Sequence, residues 1–235
     1  MKILKVKKRL FLLVLICSSL SNLFAQGNLL YVDQKLFHFG FSLGFNSMDF
    51  NTTPSLADIS GTVYDVRTSV LKPGFSVGII TDLRLNRYMN LRCTPTLHFG
   101  ERQLSYSPKT GLDSITIQSI PICVPLYLKF SSERNGNIRP YVIVGGGASI
   151  DLATDTNKPL LLKPLDFYTE FGVGCDIYFS FFKLCPELKY SIGFNDIFVP
   201  LNERNAGTIS TENQKFSNAL SKLTSKMLTL TFNFE

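Results

Sequence analysis

Residues 37–46 read FHFGFSLGFN. Phe37, Phe39, Phe41, Leu43 and Phe45 alternate with His38, Gly40, Ser42, Gly44 and Asn46. A period of two puts these sets on opposite faces of a β-strand. One face is large and oily; the other is small or polar. In a soluble barrel or sandwich the oily face meets a core and the polar face meets water. In a membrane barrel the oily face meets lipid, and polar and small side chains fill the inside. Glycines on the second face favour the membrane arrangement, because small inward residues let a narrow barrel close.

The pattern recurs along the chain. Phe75, Val77 and Ile79 alternate with Ser76, Gly78 and Ile80, and Leu91, Cys93, Leu97 and Phe99 with Arg92, Thr94, Thr96 and His98. Ile120, Ile122, Val124, Leu126 and Leu128 form one face of a fourth run, and RPYVIVGGGASID (139–151) is a fifth. Phe167, Phe171, Val173, Ile177 and Phe179 alternate with Tyr168, Glu170, Gly172, Asp176 and Tyr178. Leu184, Leu188, Tyr190, Ile192 and Phe194 alternate with Lys183, Glu187, Lys189, Ser191 and Asn195. LTLTFNFE (228–235) is the eighth run, and pairing it with the first would leave no open edge. Strands of about ten residues are long enough to cross a bilayer at a tilt. The expected fold is all-β, an eight-stranded antiparallel up-and-down transmembrane barrel.

Connection lengths point the same way. Long links are expected at about 50–72, 102–114, 152–164 and 196–224, and short ones at 84–87, 131–137 and near 180–181. Long and short alternate, as in outer-membrane barrels with long extracellular loops and short periplasmic turns. TENQKFSNALSKL (211–223) is read as a short helix with Phe216, Leu220 and Leu223 on one side. Pro95 and Pro121 interrupt strands and are read as bulges; Pro140 and Pro186 fall near the periplasmic rim.

The first residues carry Lys2, Lys5, Lys7, Lys8 and Arg9, an apolar run from Leu10 to Cys17, and small residues up to Ala25. This is the order of a secretory signal peptide, and the run is too short to span a bilayer. Two domains are expected: a signal peptide over 1–25, cleaved after Ala25, and a barrel over 26–235. A lipidated leader would need a small residue where Ile16 precedes Cys17; a retained anchor is the other alternative. The chain's formal charge is +6, from 24 basic and 18 acidic residues. With the five leader cations set aside, 19 basic residues face the same 18 acidic ones. The excess belongs to export, and no basic run tracks nucleic acid.

Few residues carry recognisable chemistry. The polar face gathers Arg92, Glu170, Asp176, Lys183, Glu187 and Lys189, read as a salt-bridged plug inside a barrel too narrow for a channel. A docking or proton-handling site is the sharper alternative. His38 and His98 are too far apart along the wall to share a metal. His98 with Glu101 and Ser105 is the nearest approach to a nucleophile–base group for a lipid-modifying enzyme. GGGAS (145–149) is read as close strand packing, since no helix follows to hold phosphate. Cys93, Cys123, Cys175 and Cys185 are expected as free thiols, with Cys175 opposite Pro186 and Cys185 on the other face. No catalytic residue, metal or cofactor is expected.

LFHFGFSLGFNSMDF (36–50), LKPGFSVGIITDLRLNRYMNLRCTPTLHFGERQLSY (71–106) and CPELKYSIGFND (185–196) resemble the PorT-type outer-membrane barrels of the Bacteroidota. The resemblance covers essentially all of the chain after the leader. It implies an eight-stranded barrel in the cell outer membrane with an accessory part in type IX protein secretion. That system exports cargo with C-terminal sorting domains, such as secreted proteases and gliding adhesins. The implied partners are outer-membrane lipid and other envelope proteins of the system, with no catalytic residues. A generic small barrel for envelope integrity or surface binding is the alternative, and a lipid-modifying enzyme a third.

Overall fold

Phe39 leaves 68% of its surface uncovered, while its neighbour His38 and nearby Ser42 are buried. That contrast, repeated on every wall, defines the molecule. The computed structural model describes residues 29, 31–54, 65–68, 72–107, 113–153, 161–200 and 220–235. The expected signal peptide lies outside these residues, as does the 211–219 part of the expected helix.

The described residues form eleven strand segments: β1 (Phe37–Pro54), β2 (Asp65–Thr68), β3 (Pro73–Arg84), β4 (Met89–Cys93), β5 (Thr96–Ser107), β6 (Asp113–Ser119), β7 (Pro121–Ser131), β8 (Ile138–Asp151), β9 (Leu165–Tyr178), β10 (Lys183–Gly193) and β11 (Leu220–Phe234). Eight walls close a ring. The third wall is β4 continued by β5, and the fourth is β6 continued by β7. Each wall pairs antiparallel with its neighbours, and β11 returns to β1 from Phe41↔Phe234 up to Pro54↔Leu220. No edge remains in the ring, so every backbone row has a partner in hydrocarbon.

Proline breaks the third and fourth walls without shifting them. Thr81↔Cys93 below Pro95 and Gly78↔Thr96 above it keep one register. Across Pro121, Gly100↔Ser119 and Thr96↔Cys123 do the same. Neither proline is therefore the bulge expected from the sequence; each only deletes a donor. Pro95 still accepts from the Ile79 N–H at 3.0 Å, and the Asp151 carboxylate receives the Ile120 N–H at 2.9 Å.

The outward faces are apolar. Ile79 is 66% exposed and Phe45 63%, beside Val124, Leu126, Val142, Phe171, Val173 and Leu188. From Phe37 to Phe45 a strand rises roughly 27 Å, or about 20 Å once tilted by about 40°. That covers most of the oily band, about 25 Å tall, of an outer-membrane barrel. Stacked rings cross neighbouring strands at Phe41–Phe234 (4.9 Å) and Phe75–Phe99 (4.7 Å).

Above this band the faces exchange character. Asp49 and Lys226 meet on the outside of the β1–β11 seam at 3.1 Å, and Lys72 and Glu101 at 2.8 Å beside β5. Inward, the same strands now carry Phe50, Leu104, Ile117 and Leu223, all buried. Leu162, Ile197 and Phe198 fold over them and complete an apolar lid. Backbone bonds lock it, including Ile197 N–H to Leu223 O at 2.9 Å.

This extension corrects two sequence expectations. The third connection, expected over 102–114, is reduced to 108–112, because β5 and β6 continue as a hairpin with Arg102↔Ile117 and Leu104↔Ile115 paired. Five residues then separate the paired strands, against four, six and four at the short turns 85–88, 132–137 and 179–182. The expected helix is strand over Leu220–Leu223, because these residues pair with β1 (Thr52↔Leu223, Thr53↔Lys222). The first connection holds β2, laid on β5 through Asp65↔Ser107.

The opposite end carries those three short turns, which places it in the periplasm. A 3-10 turn, Val32–Gln34, tucks under it. Val32 O meets His38 Nε2 at 2.7 Å, and the Asp33 carboxylate accepts from Tyr178 Oη at 2.7 Å.

Candidate functional site

The lumen is where the sequence concentrates its charge, and it is full. Inward positions repeat every second residue, so β4, β7, β9, β10 and β11 each project polar groups into one narrow space. Arg92 sits at its middle. Its Nε meets Asp82 Oδ2 at 2.8 Å, Nη1 meets Glu187 Oε2 at 3.3 Å, and Nη2 meets Glu235 Oε1 at 2.5 Å. Below it, Lys129 holds Asp176 at 2.8 Å, while Lys183 lies 2.6 Å from Glu235 Oε2 and 3.9 Å from Asp176. Above it, Lys189 lies 3.2 Å from Glu170 and 3.7 Å from Glu187.

Hydroxyls add further hydrogen bonds to two of these carboxylates. Tyr127 Oη donates to Glu170 Oε1 at 2.7 Å, Ser191 Oγ to Glu170 Oε2 at 2.5 Å, and Tyr141 Oη to Glu187 Oε2 at 2.8 Å. Lys129 Nζ also lies over the Tyr141 ring, 4.0 Å from its centroid. A buried charge is tolerated only with such pairing and extra hydrogen bonds. Gly174 makes room for the Tyr141 ring: a Cβ there would meet ring atom Cζ at 2.4 Å. Likewise a Cβ on Gly145, in the GGGAS stretch, would fall 2.1 Å from Leu126 O, so that glycine sits where strands pack closely.

The structure thus brings together Arg92, Glu170, Asp176, Lys183, Glu187 and Lys189, all buried and all charge-paired. Sequence reasoning missed Asp82, Lys129 and Glu235, and the tyrosines Tyr127 and Tyr141. Their signal was positional: Lys129 and Tyr127 share the inward parity of Cys123 and Pro125, and Glu235 that of Thr229, Thr231 and Asn233.

Nearer the lid the lumen changes. His98 Nδ1 meets Ser76 Oγ at 2.7 Å, and Asn46 Nδ2 donates to the same hydroxyl at 2.8 Å. The Arg102 guanidinium lies over the Phe50 ring, 4.8 Å from its centroid. Spaces left between side chains are small, about 30 Å³ beside Arg102 and Tyr168 and about 10 Å³ between His38, Lys129 and Asp176.

The nucleophile–base group considered around His98 and Glu101 does not assemble. His98 is buried in the lumen, whereas Glu101 faces outward on the other side of β5 and pairs with Lys72. His38 lies at the periplasmic end, against Val32. Among the described residues, no group of three or more His, Cys, Asp and Glu side chains is arranged to hold a metal. Cys93, Cys123, Cys175 and Cys185 are unpaired thiols. Leu184↔Ile177 and Glu187↔Gly174 set Cys175 opposite Pro186, with Cys185 buried on the other face.

Among curated proteins, nothing matches the chain. A family model described as an outer membrane protein beta-barrel domain matches residues 24–199, well over half of it. Together with the closed ring, the oily outer band and the charged interior, this match decides the family: the chain belongs to the outer membrane protein beta-barrel domain family.

Proposed function

We propose that the protein is a non-enzymatic accessory of type IX secretion that works through its two rims and not through its lumen. One observation supports action at the rims: Arg92, clamped by three carboxylates, occupies the middle of the barrel with almost none of its surface exposed. A barrel filled in this way serves as a rigid peg that presents loops to other envelope components. The secretion role itself rests on the resemblance of residues 36–50, 71–106 and 185–196 to PorT-type barrels.

The test is a clean deletion strain assayed for secreted proteases in the medium and adhesins on the surface. Loss of both, restored by the wild-type chain, is expected. Normal cargo release would overturn the secretion role.

A second reading, a generic barrel for envelope integrity or surface binding, is favoured by the crown of β2, β5 and β6 that stands above the oily band. Removing residues 201–219 separates the two. That cut spares the lid residues Ile197, Phe198 and Leu223. A lost envelope phenotype with intact secretion would favour the generic role.

A further inference from the structure

The periplasmic rim carries a cleft of about 340 Å³ between the 85–88 turn, the 132–134 turn and the Val32–Gln34 segment. Arg84, Arg87, Arg134 and Arg139 line it, with Asp33 and Glu133 as its acidic members. Four guanidinium groups thus face two carboxylates, and the carboxylates are unevenly spread. Asp33 lies 3.6 Å from Arg139 and 3.8 Å from Arg134. Glu133 meets Arg87 at 3.3 Å, but both side chains are mostly exposed, and such a pair is weak in water. Arg84 donates only to backbone oxygens, to Gln34 O at 3.2 Å and Asn86 O at 3.4 Å, and has no carboxylate partner among the described residues.

The arginines are also held in place. Arg139 is fixed by the carbonyls of Ser132 (2.8 Å) and Arg87 (2.5 Å), and Arg134 stacks on Tyr178 at 3.7 Å. A site whose donors are already ordered loses little freedom on binding. Planar guanidinium groups suit tetrahedral phosphate, which accepts two parallel hydrogen bonds from each.

The cleft lies where the oily band ends. Leu85 and Tyr88 on its turn are about half exposed, and above it the β4–β7 seam turns Leu126, Leu128 and Phe130 outward, with Met89 paired to Phe130. Acyl chains laid on that seam bring a headgroup level with the arginines. We propose that this cleft binds the phosphate group of an anionic phospholipid from the inner leaflet of the outer membrane.

The test uses the full chain in a nonionic detergent, with its unfolding midpoint followed by circular dichroism. Diheptanoyl-phosphatidylglycerol should raise the midpoint saturably, and the chain-matched phosphatidylcholine should not. In the Arg84→Gln/Arg87→Gln double variant, half-saturation should need about tenfold more phosphatidylglycerol, the loss expected for one charge-assisted contact. Lys72→Gln, at the other end of the barrel, should behave as the wild type. Equal shifts with both lipids, or an unchanged half-saturation in the double variant, would overturn the proposal. Inorganic phosphate acting at the same concentration as phosphatidylglycerol would assign the cleft to free phosphate and overturn the lipid source. A shift produced by an acidic peptide but not by the lipid would overturn it as well. If the double variant does not fold, Arg84→Lys replaces it. That change keeps the charge but loses the forked donor, so weaker binding supports the site and unchanged binding counts against it.

Discussion

Arg92 shows what a buried charge needs. Its three nitrogens each reach a different carboxylate, from β3, β10 and the residue after β11. Replacing it by Met fills similar volume but leaves Asp82 without a cation among the described residues and takes one from Glu187 and Glu235, which keep Lys189 and Lys183. Breaking a buried pair from one side costs about 3–5 kcal/mol, far more than the pair adds over a well-packed apolar substitute. Arg92→Met should lower the temperature at which the folded, fast-migrating band is lost on a heated gel by many degrees. Lys72→Gln removes the exposed Lys72–Glu101 pair and should cost under about 1 kcal/mol, a barely measurable shift. The cationic half of this lattice was partly legible in the sequence, because Arg92, Lys183 and Lys189 stand opposite strongly apolar neighbours. Lys129 was not, because its strand announces itself through its oily face alone and its other face mixes Cys123, Pro125 and Tyr127.

A strand in this protein obeys two rules along its length. Within hydrocarbon, β1 turns Phe39, Phe41 and Phe45 outward and Ser42 and Asn46 inward; above it, the same strand turns Asp49 outward and Phe50 inward. From Phe37 to Phe50 the parity does not slip. Only the surrounding solvent changes, from lipid to water, and the preferred side chains follow it. Reading a single polarity rule from the sequence therefore found each strand inside the band and lost it at the boundary. Arg102–Leu104 and Ile115–Ile117 looked like loop because their outer residues, Glu101, Gln103, Thr116 and Gln118, are polar and their inner ones mixed. The same blindness made strand residues Leu220–Leu223 look helical, since Leu220 and Leu223 also fit a helical spacing. The boundary can be located by substitution. Ile79→Arg, in the oily band, should cost about 2–4 kcal/mol in urea titrations of the protein folded into vesicles, the expense of a cation near the bilayer midplane. Gln103→Arg, above the band on β5, should change that midpoint little. Equal costs at the two positions would place the crown within the membrane.

The whole molecule is a closed wall around a packed interior, lidded by apolar side chains at one mouth and tied off by the Val32–Gln34 turn at the other. Reconstituted into a planar bilayer, it should give no stepwise conductance above the lipid baseline; porin-like steps would mean that the interior ion pairs part in a membrane. The eightfold ring, its sidedness and its outward face were all accessible from alternation and turn lengths. The lid, the crown and the arginine cleft were not, because each depends on residues from separate connections meeting in space.

The contact between Arg92 and Glu235 has one more consequence. These residues lie 143 positions apart, on either side of the β1–β11 junction. A flat, unclosed sheet would leave both wetted and separate, at a large entropic disadvantage for meeting. Drawing the cylinder shut brings the opposite charges together as water leaves, so sealing the wall and neutralising its centre become one cooperative event. An open sheet would also leave bare the hydrogen-bonding rows at its two margins, which hydrocarbon does not tolerate; only the finished ring meets both demands.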